Sequence, residues 1–279
     1  MTTVELVVTG NELLLGDVLD KNTGWVCRQI TALGGRVECA VIVRDNMEAI
    51  AREVRSCLER STRVIVTIGG MGPTQDDLTV AAVAAATHRS LKLHPDALAM
   101  VQRQYEYFAR EGMVDDPTIT PAREKMAHIP IGAIPLDNPV GAAPGILLQM
   151  DSSIIICLPG VPTELKGIFK SALQPVLQRI FGKSVLLEKL AIVNCNDESI
   201  LAPILQLVAE RHPHVYIKSR AQRFGRDVQF RITLSTAGPS QTTVEQRIAT
   251  AAQELQRALS DIGVSINAFE DWEHGQDNG

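Results

Sequence analysis

Within the first 90 residues, β-type apolar runs and helical patterns alternate three times. Residues 4–9 are rich in β-formers and stop at Gly10. Residues 19–33 place Val26, Ile30 and Leu33 on one helical face and end at Gly34-Gly35, a common helix stop. A second run covers residues 37–43, and Asn46 is placed to cap a helix reaching Arg60, with Ile50, Val54 and Leu58 on one side. A third run, residues 63–68, leads into an Ala-rich helix over residues 80–87. Such alternation returns the chain repeatedly to one end of a sheet, which predicts an α/β fold with a doubly wound, mostly parallel sheet.

Ligands of such sheets bind outside the carboxyl ends of the strands, where the winding reverses. The third strand ends there in Gly69-Gly70-Met71-Gly72-Pro73-Thr74, followed by Gln75, Asp76, Asp77, Leu78 and Thr79. A strand that breaks at glycines and restarts as a helix leaves backbone N–H groups free for phosphate, with the helix dipole behind them. Adjacent carboxylates would repel phosphate unless a cation lay between, so Asp76 and Asp77 point to a phosphate with a metal ion. If strands 1 and 3 are neighbours, as in flavodoxin-type winding, the loop Gly10-Asn11-Glu12-Leu13-Leu14-Leu15-Gly16 lies alongside, and Glu12 faces the same cavity. Asp20 and Asn22 line one wall. Each acid also fits a plainer role: Asp76, Asp77, Asp20 and Asn22 as helix caps, and Glu12 as a solvated loop acid. Two further loops, residues 138–145 (Asn-Pro-Val-Gly-Ala-Ala-Pro-Gly) and 158–164 (Leu-Pro-Gly-Val-Pro-Thr-Glu), combine glycine for close approach with proline for stiffness. Glu164 and Lys166 stand at the start of the next helix, within reach of the pocket.

The remainder of the chain reads as a helix over residues 94–111, another over 120–128, and short strands at 133–136, 146–149 and 153–158. A helix spans residues 162–180, and Phe181-Gly182-Lys183-Ser184 marks a boundary. Beyond it come a strand (185–193), a helix (198–210), strands at 215–219 and 228–235, a helix (243–262) and a last strand over 264–269. That order describes a small α+β domain over residues 184–269, after a domain over residues 1–180. The polar tail, residues 270–279, is expected to be disordered.

Net charge of −5 in 279 residues argues against a general nucleic-acid binder. The basic stretch Arg211, Lys218, Arg220, Arg223, Arg226 and Arg231 is better explained as a solvated strand face than as a nucleic-acid surface. No run approaches the roughly 20 apolar residues of a membrane helix, and the N-terminus has no signal-peptide pattern. Cys27, Cys39, Cys57, Cys157 and Cys195 form no CxxC pair and read as small buried residues of a reducing cytoplasm.

Residues 10–16, 20–22, 69–79, 138–145 and 158–164 together resemble the N-terminal part of the competence/damage-inducible protein A (CinA) family. That part is similar to the molybdopterin-binding domains of the MoaB/MogA type, in which a Gly-Gly-Thr-Gly loop and an Asp-x-Thr handle a phosphorylated pterin or its adenylate. Here Met71 stands at the threonine, and Asp77-Leu78-Thr79 matches Asp-x-Thr. The second domain has the element order of the KH-type domain of the same family. Full-length bacterial members continue into a nicotinamide-nucleotide deamidase domain, whose activity is not expected of these 279 residues. The resemblance implies metal-dependent hydrolysis of a nucleotide pyrophosphate such as ADP-ribose; the alternative is a non-catalytic binder of molybdopterin or a nucleotide. Asp77, Asp76 and Glu12 then carry a divalent Mg²⁺, Mn²⁺ or Co²⁺, with a monovalent cation as a further candidate. Gly69, Gly70, Gly72, Thr74, Thr79, Asn11, Asp20, Asn22, Gly141, Gly145, Pro159 and Gly160 contact the ligand. Related domains associate, so a homo-oligomer, a dimer, is expected.

Overall fold

The computed structural model describes residues 2–182, 185–195, 197–221, 229–267 and 269–271. The chain divides into two compact units, Met1–Thr31 with Gly35–Phe181, and Ala32–Gly34 with Gly182–Gly279. In the first unit, β1 (Thr2–Thr9), α1 (Asn11–Leu15), α2 (Asn22–Ala32), β2 (Gly35–Val43), α3 (Met47–Glu59), β3 (Val64–Ile68) and α4 (Thr79–Ala86) come first. There follow β4 (Leu91–Leu93), α5 (Pro95–Arg110), α6 (Pro121–Lys125), β5 (His128–Pro130), β6 (Ala133–Leu136), β7 (Gly145–Gln149) and β8 (Ile154–Leu158). The unit closes with α7 (Pro162–Ile168), a π-helical turn (Phe169–Leu173) and α8 (Gln174–Phe181).

Its main sheet has the order β2-β1-β3-β8-β7-β6. The ladders β2/β1, β1/β3 and β3/β8 are parallel, and β8/β7 and β7/β6 are antiparallel. The fold is therefore the doubly wound, mostly parallel α/β sheet expected, and the winding reverses between β1 and β3. Both β3 and β8 are buried along their whole length, so their apolar residues face helices on either side. Val7, Ile50, Val54, Ile65, Val83, Ile146 and Ile155 share one core cluster with residues of α3, α4 and α5. Each such side chain contributes roughly 1.5–3 kcal/mol by leaving water. Within the same unit, Trp25 of α2 meets Phe169 edge-to-face at 5.1 Å.

The buried acid Glu5 lies in the middle of β1. It accepts hydrogen bonds from Arg60 Nε (3.1 Å) and from Arg60 Nη2 and Thr62 Oγ1. The Arg60 guanidinium is the main reason its carboxyl is held below the usual range. Burying an acid this way is tolerated because both oxygens are satisfied.

Several boundaries differ from the sequence expectations. The helix anticipated over residues 19–33 starts at Asn22, because Asp20 accepts from Thr23 N (3.0 Å) and ends the loop. A separate short α1 is closed by Gly16 at φ 80°. The helix anticipated over residues 120–128 stops at Lys125, and His128–Pro130 pairs with β4 as a two-stranded sheet. Asn46 caps α3 as expected, accepting from Ala49 N at 2.9 Å.

In the second unit, β9 (Val185–Asn194), α9 (Glu198–Arg211), β10 (Tyr216–Ala221), β11 (Gln229–Gly238), α10 (Gln241–Asp261) and β12 (Glu270–Asp271) form an antiparallel sheet ordered β10-β11-β9-β12 with two helices. Val193, Leu201, Val208, Phe230, Ile232, Leu234, Ile248 and Leu255 fill its core. The strand anticipated over residues 264–269 is displaced: Ile266 makes one bridge to Val193, and the paired residues are Glu270 and Asp271, opposite Leu190 and Lys189. Those two residues thus have partners where a disordered tail was expected, and residues 272–279 lie outside the described residues. Among the described residues no helix is long and apolar enough to cross a membrane. Cys57, Cys157 and Cys195 are buried as expected; Cys39 is exposed and Cys27 half-buried.

Candidate functional site

At the carboxyl ends of β1, β3 and β8 the first unit holds a cleft of about 720 Å³. The break in β3 creates it. Gly69 and Gly70 have φ of 100° and 62°, a region that side chains rarely adopt, and a Cβ on Gly70 would collide with Thr79 Oγ1. Thr79 N donates to Gly70 O (3.0 Å), which seats the start of α4 against the turn. Gly69 N donates to Leu158 O (2.9 Å). The amides of Gly70, Met71 and Gly72, by contrast, meet no protein acceptor among the described residues, and all three residues line the cleft. Free amides on a rigid glycine turn are suited to anion oxygens.

The side chains around these amides are acidic. Glu12, Asp45, Asp76, Asp77 and Glu164 line the cleft, and among the described residues no lysine, arginine or histidine does. Thr74 joins the two adjacent aspartates: its Oγ1 contacts Asp76 Oδ1 and, at 2.6 Å, Asp77 Oδ2. Thr74 N also donates to Asp77 Oδ2 (2.9 Å). The Thr74 hydroxyl is the main reason the Asp76 carboxyl lies below its ordinary range. A hydroxyl has one proton, so it cannot donate to both carboxylates at once. Across the cleft Asn138, itself buried, donates to Glu164 Oε2 (2.8 Å) and to Ala143 O (2.8 Å), while its Oδ1 accepts from Gly141 N (2.9 Å). A Cβ on Gly141 would collide with the Glu164 carboxyl, so only glycine lets the two approach this closely. Burial pushes the Glu164 carboxyl above the usual range. Tyr105, Phe108 and Met126 add an apolar wall, with the Arg123 guanidinium 3.9 Å from the Tyr105 ring centre.

Of the residues singled out from sequence, Glu12, Gly69, Gly70, Gly72, Asp76, Asp77, Gly141, Pro159 and Gly160 line this cleft. Asp20 and Asn22 line a neighbouring one of about 480 Å³, which shares Thr9, Glu12, Gly160 and Pro162 with the first. Both also have structural partners: Asp20 caps α2, and Asn22 Nδ2 donates to Gly160 O at 2.7 Å. Lys166, expected within reach, is not in the lining and has its Nζ 5.8 Å from the Trp25 ring centre. Four of the ligand candidates also stand elsewhere. Thr79 is fully buried, with its hydroxyl 3.2 Å from Thr9 Oγ1. Gly145 is buried in β7 against Ile168 and Leu136. Asn11 opens α1, its amide on Asp45 Oδ2 (2.7 Å), and Thr74 sits outside the lining, holding the two aspartates. Glu12, Asp76 and Asp77 do not converge as a ligand set: among the described residues no group of three His, Cys, Asp or Glu side chains is arranged to hold a metal.

Sequence reasoning missed Asp45, Tyr105, Phe108, Met126 and Lys125. Asp45 was accessible to it, because it follows the carboxyl end of β2, beside β1, where such sheets bind ligands. Of the basic stretch, Arg211 pairs with Glu254 and Arg220 lies opposite Arg231, whereas Arg223 and Arg226 lie outside the described residues.

Residues 5–179 match the family described as "Probable molybdopterin binding domain". The chain belongs to that family. A protein of Aeropyrum pernix is 39% identical over 94% of this chain and 95% of its own length. One of Thermococcus kodakarensis is 37% identical over 86% of this chain and 94% of its own. Among solved structures, the protein CinA of Thermoplasma acidophilum, described as of unknown function, is 33% identical with a TM-score of 0.57, covering 63% of this chain and 98% of that one. Every residue lining the cleft falls inside the stretch matched to the molybdopterin-binding family.

Proposed function

We propose that the cleft binds a phosphorylated pterin or nucleotide together with a divalent cation. The observation that carries this assignment is the pairing of three free amides with five carboxylates and no basic side chain. An anion alone would enter a field of like charge; an anion with its cation would not. The residues fit such a cation. Asp76 and Asp77 offer hard oxygens, and a cation between them would relieve the convergence of two carboxylates on one hydroxyl. Mg²⁺ in particular is commonly held by one or two carboxylates plus phosphate oxygens, without a protein-only cage. The family match supports the pterin as one ligand class.

A second reading, hydrolysis of a nucleotide pyrophosphate such as ADP-ribose, is favoured by the same two aspartates beside the glycine turn. A bound cation would supply charge neutralisation there, and Asp77 would be one of its ligands. Calorimetry with ADP-ribose and with a phosphorylated pterin, in Mg²⁺, Mn²⁺ or Co²⁺ and again in excess chelator, tests the first. Binding that is unchanged by the chelator contradicts cation-linked recognition. Product analysis for AMP and ribose 5-phosphate separates the two readings. Under hydrolysis Asp77→Asn loses rate by about a hundredfold or more, the scale of one lost electrostatic group. Under binding alone no metal yields product at high enzyme concentration. A homo-oligomeric state is part of this proposal and is checked by light scattering.

A further inference from the structure

Lys125, the last residue of α6, reaches across to the turn that follows the glycines. Its Nζ donates to Thr74 O and, at 2.9 Å, to Asp77 O. Those carbonyls stand at the two ends of the turn that Thr74 N and Asp77 Oδ2 close from inside. Two of the three ammonium protons are thereby used on backbone, and after the Thr74 hydroxyl and a backbone hydrogen bond the Lys125 charge helps to hold the Asp76 carboxyl below its ordinary range. Lys125 does not line the cleft. Two residues earlier, Arg123 rests on Tyr105 of the aromatic wall and donates to Asp116 O (2.7 Å) and Thr118 O (2.8 Å). One short helix thus ties down both the acidic turn and the aromatic wall.

We infer that Lys125 is a positioning residue for the cation and phosphate: it fixes the Thr74 to Asp77 turn so that the two carboxylates stay together facing the cleft. Without the ammonium on the turn's carbonyls, like charges on neighbouring residues would splay the turn into solvent. This inference rests on the cation-linked binding proposed above. Because Lys125 holds backbone carbonyls and does not line the cleft, its effect is on the geometry of the carboxylates and not on direct contact with a ligand.

The test uses the full chain and Mn²⁺ with inorganic pyrophosphate, followed by calorimetry and by the electron paramagnetic resonance spectrum of bound Mn²⁺. Lys125→Met is expected to weaken binding by about tenfold or more, the scale of a lost charged hydrogen bond, and to alter the Mn²⁺ spectrum. Lys125→Gln, which keeps a donor without the charge, should weaken it similarly, while Lys125→Arg should stay within about threefold of the parent, because it retains both charge and donors. Lys170→Met, at an exposed lysine that does not line the cleft, is the control and should bind as the parent does. Parent-like affinity and spectrum in Lys125→Met overturn the inference. So does weakening of all three Lys125 variants in proportion to lost thermal stability, which would make the contact merely structural. If the parent chain itself binds no Mn²⁺–pyrophosphate, the cation-linked reading of the cleft fails first.

Discussion

At the scale of single residues, the cleft combines groups whose usual behaviour is altered by their neighbours. Glu164 is the clearest, because burial raises its carboxyl while Asn138 works in the other direction. An acid whose folded value is raised binds its proton more tightly in the folded chain than in the unfolded one. Stability is then greatest below the ordinary value of 4.5 and falls as pH rises through the raised value. Glu164→Gln keeps an acceptor for Asn138 and removes the charge, so it should flatten that fall. Thermal denaturation from pH 4 to pH 8 should show the variant gaining on the parent as pH increases; a constant difference would contradict the raised value. The site at this scale was partly legible. Glu12, Asp76, Asp77 and the glycines were found because glycine turns and adjacent acids are local signals. Lys125 was not, because its importance comes from partners distant in sequence, the residue 74–77 turn, whereas Asp45 was overlooked although its place just after β2 marked it.

Among the elements, those with long apolar periodicity or a capping residue were readable, and those held by tertiary contact were not. β3 and β8 declare themselves by unbroken apolar runs, and α3 by Asn46 and its apolar face. β4 and β5 have three residues each, and nothing in Leu91-Lys92-Leu93 distinguishes a strand from a loop until His128–Pro130 pairs with it. The same pairing ends α6 early, although the sequence through His128 remains helical in pattern. Asn46 offers a direct check on the capping argument. Its Oδ1 satisfies Ala49 N, one of the donors left open at the start of α3. Asn46→Ala should lower stability by about 1 kcal/mol, and Asn46→Gly by only a few tenths. Denaturant unfolding of the two variants measures this; equal losses would mean that the hydrogen bond is not what Asn46 contributes.

For the whole molecule, alternation of strand and helix makes β1, β2 and β3 parallel: the first crossover lays β2 on one side of β1, and the second carries the chain back past β1 to lay β3 on its other side. The antiparallel edge made by β7 and β6 carries no comparable rule. Its strands are short and joined by loops that pattern alone cannot fold. The second unit has its own core, centred on β9, β11 and α10, while every residue lining the cleft comes from the first unit. A cavity cut into that second core therefore separates stability from binding. Ile232 is completely buried in β11, and truncating such a side chain removes its burial and leaves a void. Ile232→Ala should cost about 2–5 kcal/mol in unfolding, read by denaturant unfolding of the second unit's transition, with Mn²⁺–pyrophosphate affinity unchanged under folding conditions. Loss of affinity in a variant that remains folded would show that the cleft depends on the second unit, and would require a role for it in ligand binding.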